Sequence, residues 1–390
     1  MKFVVSLSLI LLLNFTSLSA ANGQAPLSPQ LRSSIEQLDK MTAAEYAKDN
    51  IGSVTVGIVV GSNLVWTKSY GYADMEKKVP ATKDTVYRIA SVTKLFTGLV
   101  LLQLVERGRV RLSDPVEKYF PEINKIQGRF PGAPPVTIVQ LATMTAGLVG
   151  EPENAESYNT GRVADWEKKL ILSLPDTRYS HEPGTYHDYS NTSYAILGAT
   201  LGRAAGEPYV SYVQKQIIEP LGMTHTSFEP NSQIAPFIAK GYHLENGKLD
   251  TLTPQRQQGN RGKNVPAGSL YSTVGDMTRL VAFELGEGPA NVLKRESLDN
   301  SFSALVAADS DLNYGDGIGG FSALRLMPSN FVAVGHLGAL PGYSAGVIFD
   351  RPSRTGIIML SNVTNGKADY QELAQRMLAN LVHNNSGSTK

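Results

Sequence analysis

The 390-residue sequence contains no cysteine. That excludes disulfides, thiol catalysis and lipid attachment through a thioether, and leaves the fold to be held by its core alone. There is also no excess of either charge: Lys and Arg total 36 against 35 for Asp and Glu, a formal net charge of +1. Basic residues neither run together nor alternate with aromatics, which argues against nucleic acid as a partner. From Leu112 to about Arg279 no internal repeat, low-complexity tract or linker interrupts the chain. The longest N-terminal apolar run, Phe3 to Leu13, falls short of the ~20 residues that a spanning helix needs. What remains is a chain that is 42% hydrophobic and 18% charged, ample for a large core in one or two domains.

The N-terminus carries Lys2, then that apolar run, then Ser19-Ala20-Ala21. This is the pattern of an export signal cut after Ala20 or Ala21, with an uncleaved anchor as the rival reading. The expected organisation is a leader over 1–21 and a folded unit over 22–390. The expected address is the periplasm or the cell exterior.

Ser91-Val-Thr-Lys94 is the only S-x-x-K spacing in the chain. It precedes a run in which Val92, Leu95, Phe96, Leu99 and Leu102 recur at helical spacing, and Arg107-Gly108 closes that run. Ser91 is therefore expected at or near the first turn of a buried helix, with an apolar stripe on one face. Three positions apart, Ser91 and Lys94 share a face, with β-carbons about 5–6 Å apart. An amine with an ordinary pKa of about 10.4 is no base at neutral pH. Burial and the positive end of a helix both disfavour its charged form. Lys94 then becomes a usable base and Ser91 a nucleophile. The alternative is a four-letter coincidence on a surface helix.

Strand signals sit near both ends. Ser53–Val60, a turn at Gly61-Ser-Asn63 and Leu64–Tyr70 read as a hairpin. From Tyr314 on, Gly320–Met327, Asn330–His336, Tyr343–Phe349 and Gly356–Ser361 are joined by short connections that imply antiparallel neighbours. Helices are expected over Tyr194–Ala205, Tyr209–Leu221, Val274–Phe283 and about Lys367–Val382. A further helix begins at the Ser28 cap with Leu31, Ile35, Leu38 and Met41. The expected fold class is α+β: one antiparallel sheet assembled from both ends of the chain and flanked by terminal helices. A helical lobe over about 91–284 is inserted between sheet segments 22–90 and 285–390, and sites favour the crevice between two such lobes.

Two further constellations fit such a crevice. In the loop Pro183-Gly-Thr-Tyr-His-Asp-Tyr189-Ser-Asn191, an extended backbone points Tyr189 and Asn191 the same way. Tyr189 can then move protons with Lys94 and Ser91, and Asn191 can bond both Lys94 and substrate. The competing reading is a loop tyrosine packing its ring beside a turn-forming asparagine. In Gly335-His-Leu-Gly338-Ala339, a glycine near a strand end lets substrate approach the backbone. The amides of Ala339 and Ser91 can form an oxyanion hole, and His336 can bind a substrate carboxylate or tune the proton relay. A strand-end histidine capping a turn is the alternative.

Taken together, these motifs resemble those of the penicillin-recognising serine hydrolases related to β-lactamases. Class C β-lactamases, D-alanyl-D-alanine carboxypeptidases, D-aminopeptidases and related esterases are the nearest relatives on this reading. Ser91-Val-Thr-Lys94 is similar to the family's S-x-x-K and Tyr189-Ser-Asn191 to its Y-x-N. His336-Leu-Gly338 is similar to its third motif, K-T-G or H-x-G. Leu141–Leu148, Pro220–Phe228 and Pro266-Ala-Gly268 match in the same order. The resemblance implies a β-lactamase/transpeptidase-like fold and an acyl-enzyme on Ser91. It also implies proton transfer by Lys94 and Tyr189, substrate binding by Asn191, His336, Gly338 and Ala339, and no metal or organic cofactor. Two departures stand out. His336 replaces the lysine of class C β-lactamases, which favours peptidase or esterase branches. Met144 and Ala146 replace a histidine and a serine common in relatives.

The expected partner is a small-molecule or peptide substrate. A catalytically silent binder of cell-wall peptides is the rival from another class, though a binder has no need of the base. Gly342-Tyr-Ser344-Ala-Gly346 spells a nucleophile elbow, but that elbow demands a helix where Val347–Phe349 reads as strand. Asp309-Ser-Asp311-Leu-Asn313 opens like a calcium loop, yet Tyr314 and Gly320 occupy the places of its glycine and glutamate. His181, His187, His225 and His243 show no metal spacing, and His187 lies close enough to Tyr189 to line a cleft.

Overall fold

A computed structural model describes residues 27–258, 261–302, 305–307, 314–326 and 331–386. The expected leader and the Asp309–Asn313 segment lie outside them. The first helix, α1 (Pro29–Tyr46), starts where the Ser28 hydroxyl accepts the Leu31 amide at 3.1 Å. β1 (Ser53–Val60) and β2 (Asn63–Asp74) follow as a hairpin whose turn uses Gly61 at φ +58°. β3 (Val79–Pro80) lines the hairpin's outer edge.

After the helical middle of the chain the sheet resumes. Its later strands are β4 (Leu305–Ala307), β5 (Tyr314–Gly317), β6 (Ser322–Leu326), β7 (Phe331–Leu340), β8 (Tyr343–Asp350) and β9 (Thr355–Ser361). Among the described residues the sheet has nine antiparallel strands in the order β3-β2-β1-β9-β8-β7-β6-β5-β4. β1 and β9 pair as its third and fourth strands, Val54 against Ser361 and Ile58 against Ile357. The expected assembly from both ends of the chain is thus what the fold contains.

The sheet separates two cores, and strand periodicity decides which residue enters which. On one side Val54, Val56, Ile58, Ile348, Ile357 and Met359 meet α1 and the last helix, Tyr370–Ser386. On the other side Val59, Val347, Phe349, Ile358 and Leu360 face the helical core. Ser344 sits inside β8, paired with Ala339 and Ser361. The nucleophile-elbow geometry is therefore absent there.

α2 (Thr93–Glu106) runs through the middle of the second core. Every residue from Thr93 to Leu104 is buried. The single-face stripe expected from the sequence is too narrow a description, because neighbours surround the helix. A β-carbon on Gly98 would stand 2.0 Å from the Gly319 backbone, and one on Gly320 would stand 2.0 Å from the Lys94 carbonyl. The turn 317–320 thus lies directly on the first turns of α2, at a spacing only glycine permits.

Other helices follow their sequence signals with local changes. The expected Tyr209–Leu221 helix is regular over Tyr209–Val213 and then widens into a π-turn over Gln214–Ile218. Val274–Ala282 is capped by Thr273 as its pattern requires. Among the described residues, no helix is long and apolar enough to cross a membrane.

Gly98→Ala tests the packing of α2. Alanine favours a helix by about 1 kcal/mol. Overlap with the Gly319 backbone outweighs that gain, and a net loss of about 2 kcal/mol is expected by urea denaturation. An increase in stability would show that the turn is not in contact.

Candidate active site

Ser91 owes its position to a strained turn. Ala90 adopts φ +48°, rare for a residue with a β-carbon, and Ala90–Val92 form a single 3-10 turn that feeds α2. Ala90 and Val92 are fully buried, while Ser91 between them is partly exposed. Pairing of β6 with β7 ends at Ser322–Gly335, so residues 336–340 leave that ladder and meet the Ser91 turn. A β-carbon at Gly338 would lie 2.5 Å from the Ile89 carbonyl and 3.0 Å from the Ser91 amide. Gly338 therefore serves the approach of strand to turn. Gly335 serves strand pairing in the same way, at φ +145° with its β-carbon position only 2.1 Å from the Val347 carbonyl. Both glycines thus allow close packing of protein backbone, while Gly338 also lines the cleft.

Lys94 is fully buried one helical turn into the motif. Its ammonium donates to Asn191 Oδ1 at 2.9 Å and to the Ala267 carbonyl at 3.0 Å. The Tyr189 and Tyr194 rings lie 4.8 and 5.4 Å from Nζ. Loss of water pulls its pKa down to about 7, with Arg261 and Lys263 assisting and Asp316 and Glu151 opposing. Burial is thus the main source of the basicity change expected for this lysine.

Tyr189 and Asn191 flank Ser190, whose backbone is extended at φ −134°, ψ 109°. Ser190 caps the next helix, α3 (Asn191–Ala205), by accepting the Ser193 amide at 3.0 Å. This alternation sends the side chains of Tyr189 and Asn191 toward the same place, as the sequence implied. Tyr189 and Ser91 line the same cleft, and the Ser91 side chain acts on the phenol. Tyr189 is 36% exposed overall, yet desolvation of its hydroxyl holds the phenol well above its ordinary pKa. Asn191 accepts from Lys94 and donates to Glu151 Oε1 at 2.9 Å. Both ends of its amide are engaged, which makes it a link between Lys94 and Glu151 and leaves one N–H for a ligand.

His336 is 3% exposed. Its Nδ1 donates to the Leu337 carbonyl at 2.5 Å, and its Nε2 has no hydrogen-bond partner among the described residues. A carbonyl only accepts, so Nδ1 carries the proton and Nε2 presents a lone pair. Burial, reinforced by Lys94, lowers its pKa to about 4. The imidazole is therefore neutral at pH 7. A cleft of about 350 Å³ joins Ser91, Tyr189, Asn191, His336, Gly338 and Ala339. All the predicted site residues that line a cavity line this one, and Lys94 lies buried behind it. Met144 and Ala146 are buried in the helical core, away from the cleft lining.

Several contributors carry no readable sequence signal. Glu151 accepts from Lys263 at 2.8 Å, from Asn264 at 3.0 Å and from Asn191. Burial alone would raise the Glu151 pKa, but Lys263 together with Asn191 and Asn159 outweighs it and holds the carboxyl below its ordinary value. Asp316 receives Ser322 Oγ at 2.8 Å and pairs with His187 Nε2 at 2.8 Å. Gln371, from the last helix, donates to the Gly338 carbonyl at 2.8 Å. These are isolated polar residues, Glu151 in a loop, Asp316 in β5 and Gln371 on a helix, with no spacing to mark them. His187 alone was suggested by its closeness to Tyr189, and it lies behind the cleft wall. The described residues contain no cluster suited to a metal ion.

Comparison with known proteins decides the lineage. A model of the family Beta-lactamase matches residues 35–381. The chain belongs to the beta-lactamase family. Beta-lactamase-like protein 2 of Dictyostelium discoideum is 30% identical over 349 residues, which is 85% of this chain and 60% of that protein. This beta-lactamase-family chain thus spans less than two thirds of the Dictyostelium protein. Protein flp of Staphylococcus aureus (strain N315) is 26% identical over 358 residues, 91% of this chain and 68% of that protein. The octameric penicillin-binding protein homologue from Pyrococcus abyssi has a similar solved structure. Its TM-score is 0.73 at 25% identity, covering 90% of this chain and 77% of that one. The fold is the β-lactamase/transpeptidase-like one that the motifs implied.

Glu151→Gln would leave the fully buried Lys263 without a compensating charge. A loss of about 2 kcal/mol is expected at neutral pH, discounted because Glu151 is 32% exposed. The native carboxyl titrates below the unfolded one. Its contribution is therefore complete above the ordinary value of 4.5 and disappears as pH falls toward the lowered native value. Urea denaturation of wild type and variant across that range checks both magnitude and sign.

Proposed function

We propose that this chain is an exported serine hydrolase that cleaves amide or ester bonds through an acyl-enzyme on Ser91. The observation that carries the reading is the buried Lys94 amine, with a pKa of about 7, grouped with Tyr189 and Ser91. A silent binder has no use for an amine held so close to neutrality. The leader-like pattern at Lys2, Phe3–Leu13 and Ser19-Ala20-Ala21 supports a periplasmic or secreted location.

In this mechanism the free amine of Lys94 takes the Ser91 proton, with the Tyr189 hydroxyl bridging. The Ser91 oxygen bonds to the substrate carbonyl carbon. The amides of Ser91 and Ala339 hold the resulting oxyanion. The proton returns through Tyr189 to the leaving nitrogen or oxygen as the C–N or C–O bond breaks. Water then attacks the acyl-enzyme, the same pair accepts its proton, and Ser91 is restored. Because its phenol is pushed upward, Tyr189 relays protons and Lys94 is the resting base. D-alanine-type peptides and small esters rank ahead of β-lactams, since His336 stands where class C β-lactamases carry lysine.

Intact-protein mass spectrometry after a fluorophosphonate or penicillin probe tests the nucleophile. One adduct per chain is expected, and it should vanish in Ser91→Ala. Absence of adduct with every acyl probe would refute the reading. D-Ala-D-Ala peptides, p-nitrophenyl esters and nitrocefin assayed side by side then order the substrates.

The pH dependence tests the base separately. For an ester substrate, kcat/KM should rise about tenfold per pH unit below pH about 7 and level off above it, as Lys94 loses its proton. Lys94→Arg should remove that limb and lower the rate at least about a hundredfold. An unchanged limb in Lys94→Arg would assign the titration elsewhere.

A further inference from the structure

The wall of the cleft beyond Ser91 is formed by Ser322, Leu324, His336, Leu337 and Gln371. No arginine or lysine lines it among the described residues. Its polar groups share a polarity. His336 Nδ1 is committed to the Leu337 carbonyl, so Nε2, buried within this lining residue and without a partner among the described residues, carries only a lone pair. Gln371 Nε2 is committed to the Gly338 and Ala345 carbonyls at 2.8 and 3.4 Å, which leaves its oxygen as the end for a ligand. Ser322 gives its proton to Asp316 Oδ1. Buried acceptors without donors destabilise a fold, and a side chain 3% exposed with an unmatched nitrogen calls for a donor from outside.

We infer that this wall selects substrates presenting an uncharged hydrogen-bond donor there, an amide N–H or alcohol O–H, and rejects those presenting a carboxylate. The inference rests on the acyl-transfer reading and narrows its substrate class. A carboxylate in this position meets the His336 nitrogen and the Gln371 oxygen, with no arginine or lysine among the described lining residues to offset the repulsion. Protonation of His336 would rescue it, but its pKa of about 4 prevents that near neutrality. Free-acid peptides and penicillins, which carry a carboxylate, should therefore be poorer ligands than their amides.

Arylboronic acids, which bond reversibly to an activated serine oxygen, separate the two claims. Phenylboronic acid and its 3- and 4-carboxy and 3- and 4-carbamoyl derivatives would be titrated calorimetrically against the full chain at neutral pH. The carbamoyl compound should bind at least about tenfold more tightly than its carboxy counterpart in one or both positions. His336→Lys should narrow or invert that ratio. Carboxy compounds that bind equally well or better at both positions would overturn the inference and leave the serine reading intact. A ratio unmoved in a folded His336→Lys would overturn the role given to His336. Failure of phenylboronic acid itself to bind would overturn the serine reading and the inference together. Should His336→Lys not fold, the wild-type series still decides, with Gln371→Lys as the second variant.

Discussion

An amine closed off from water is the constraint that the rest of this site answers. Burying Lys94 carries a heavy desolvation cost, and the structure meets it with two acceptors from separate segments. One is Asn191 at the start of α3, and the other is the Ala267 carbonyl. Each acceptor must itself be fixed. Asn191 is fixed by Glu151, and Glu151 by Lys263 and Asn264. Lys94 thus sits at the head of a chain of hydrogen bonds whose far members, Glu151, Lys263 and Asn264, lie outside the cleft lining. The same enclosure that demands these bonds brings the amine close to neutrality, so support and reactivity have one physical origin.

Most of this site was legible in the sequence because its motifs are local. Ser91 and Lys94 share one helical turn, and Tyr189 and Asn191 share one extended residue between them. Strand β1 begins and ends where its apolar run does, since turn residues bound it on both sides. α2 was read less completely. Thr97 and Gln103 look like a solvent face, but both are buried and bonded to other segments. Thr97 reaches the Pro266 carbonyl at 2.7 Å and Gln103 the Val292 carbonyl at 2.6 Å. A polar residue with a distant partner is indistinguishable from a surface one until the chain is folded. Asp316, Glu151 and Gln371 escaped notice for the same reason.

His336 shows a different limit. Its place in the third motif was readable, but its chemistry was not. Whether an imidazole offers a proton or a lone pair depends on burial and on which carbonyl its other nitrogen meets. Here the Leu337 carbonyl settles that choice, one residue away in sequence but oriented by the strand. The residue that reads as a substitute for a cation therefore presents the opposite face to the cleft.

The pairing of β1 with β9 bears on how the chain reaches this state. Val54 finds its neighbour in Ser361, roughly three hundred residues later, so the contact order is high and collapse onto the native topology is slow. A growing polypeptide cannot complete that ladder until the last strand has emerged. The first hairpin must wait with one edge open, exposed to chaperones and to aggregation, and the cleft can close only as a late event in folding.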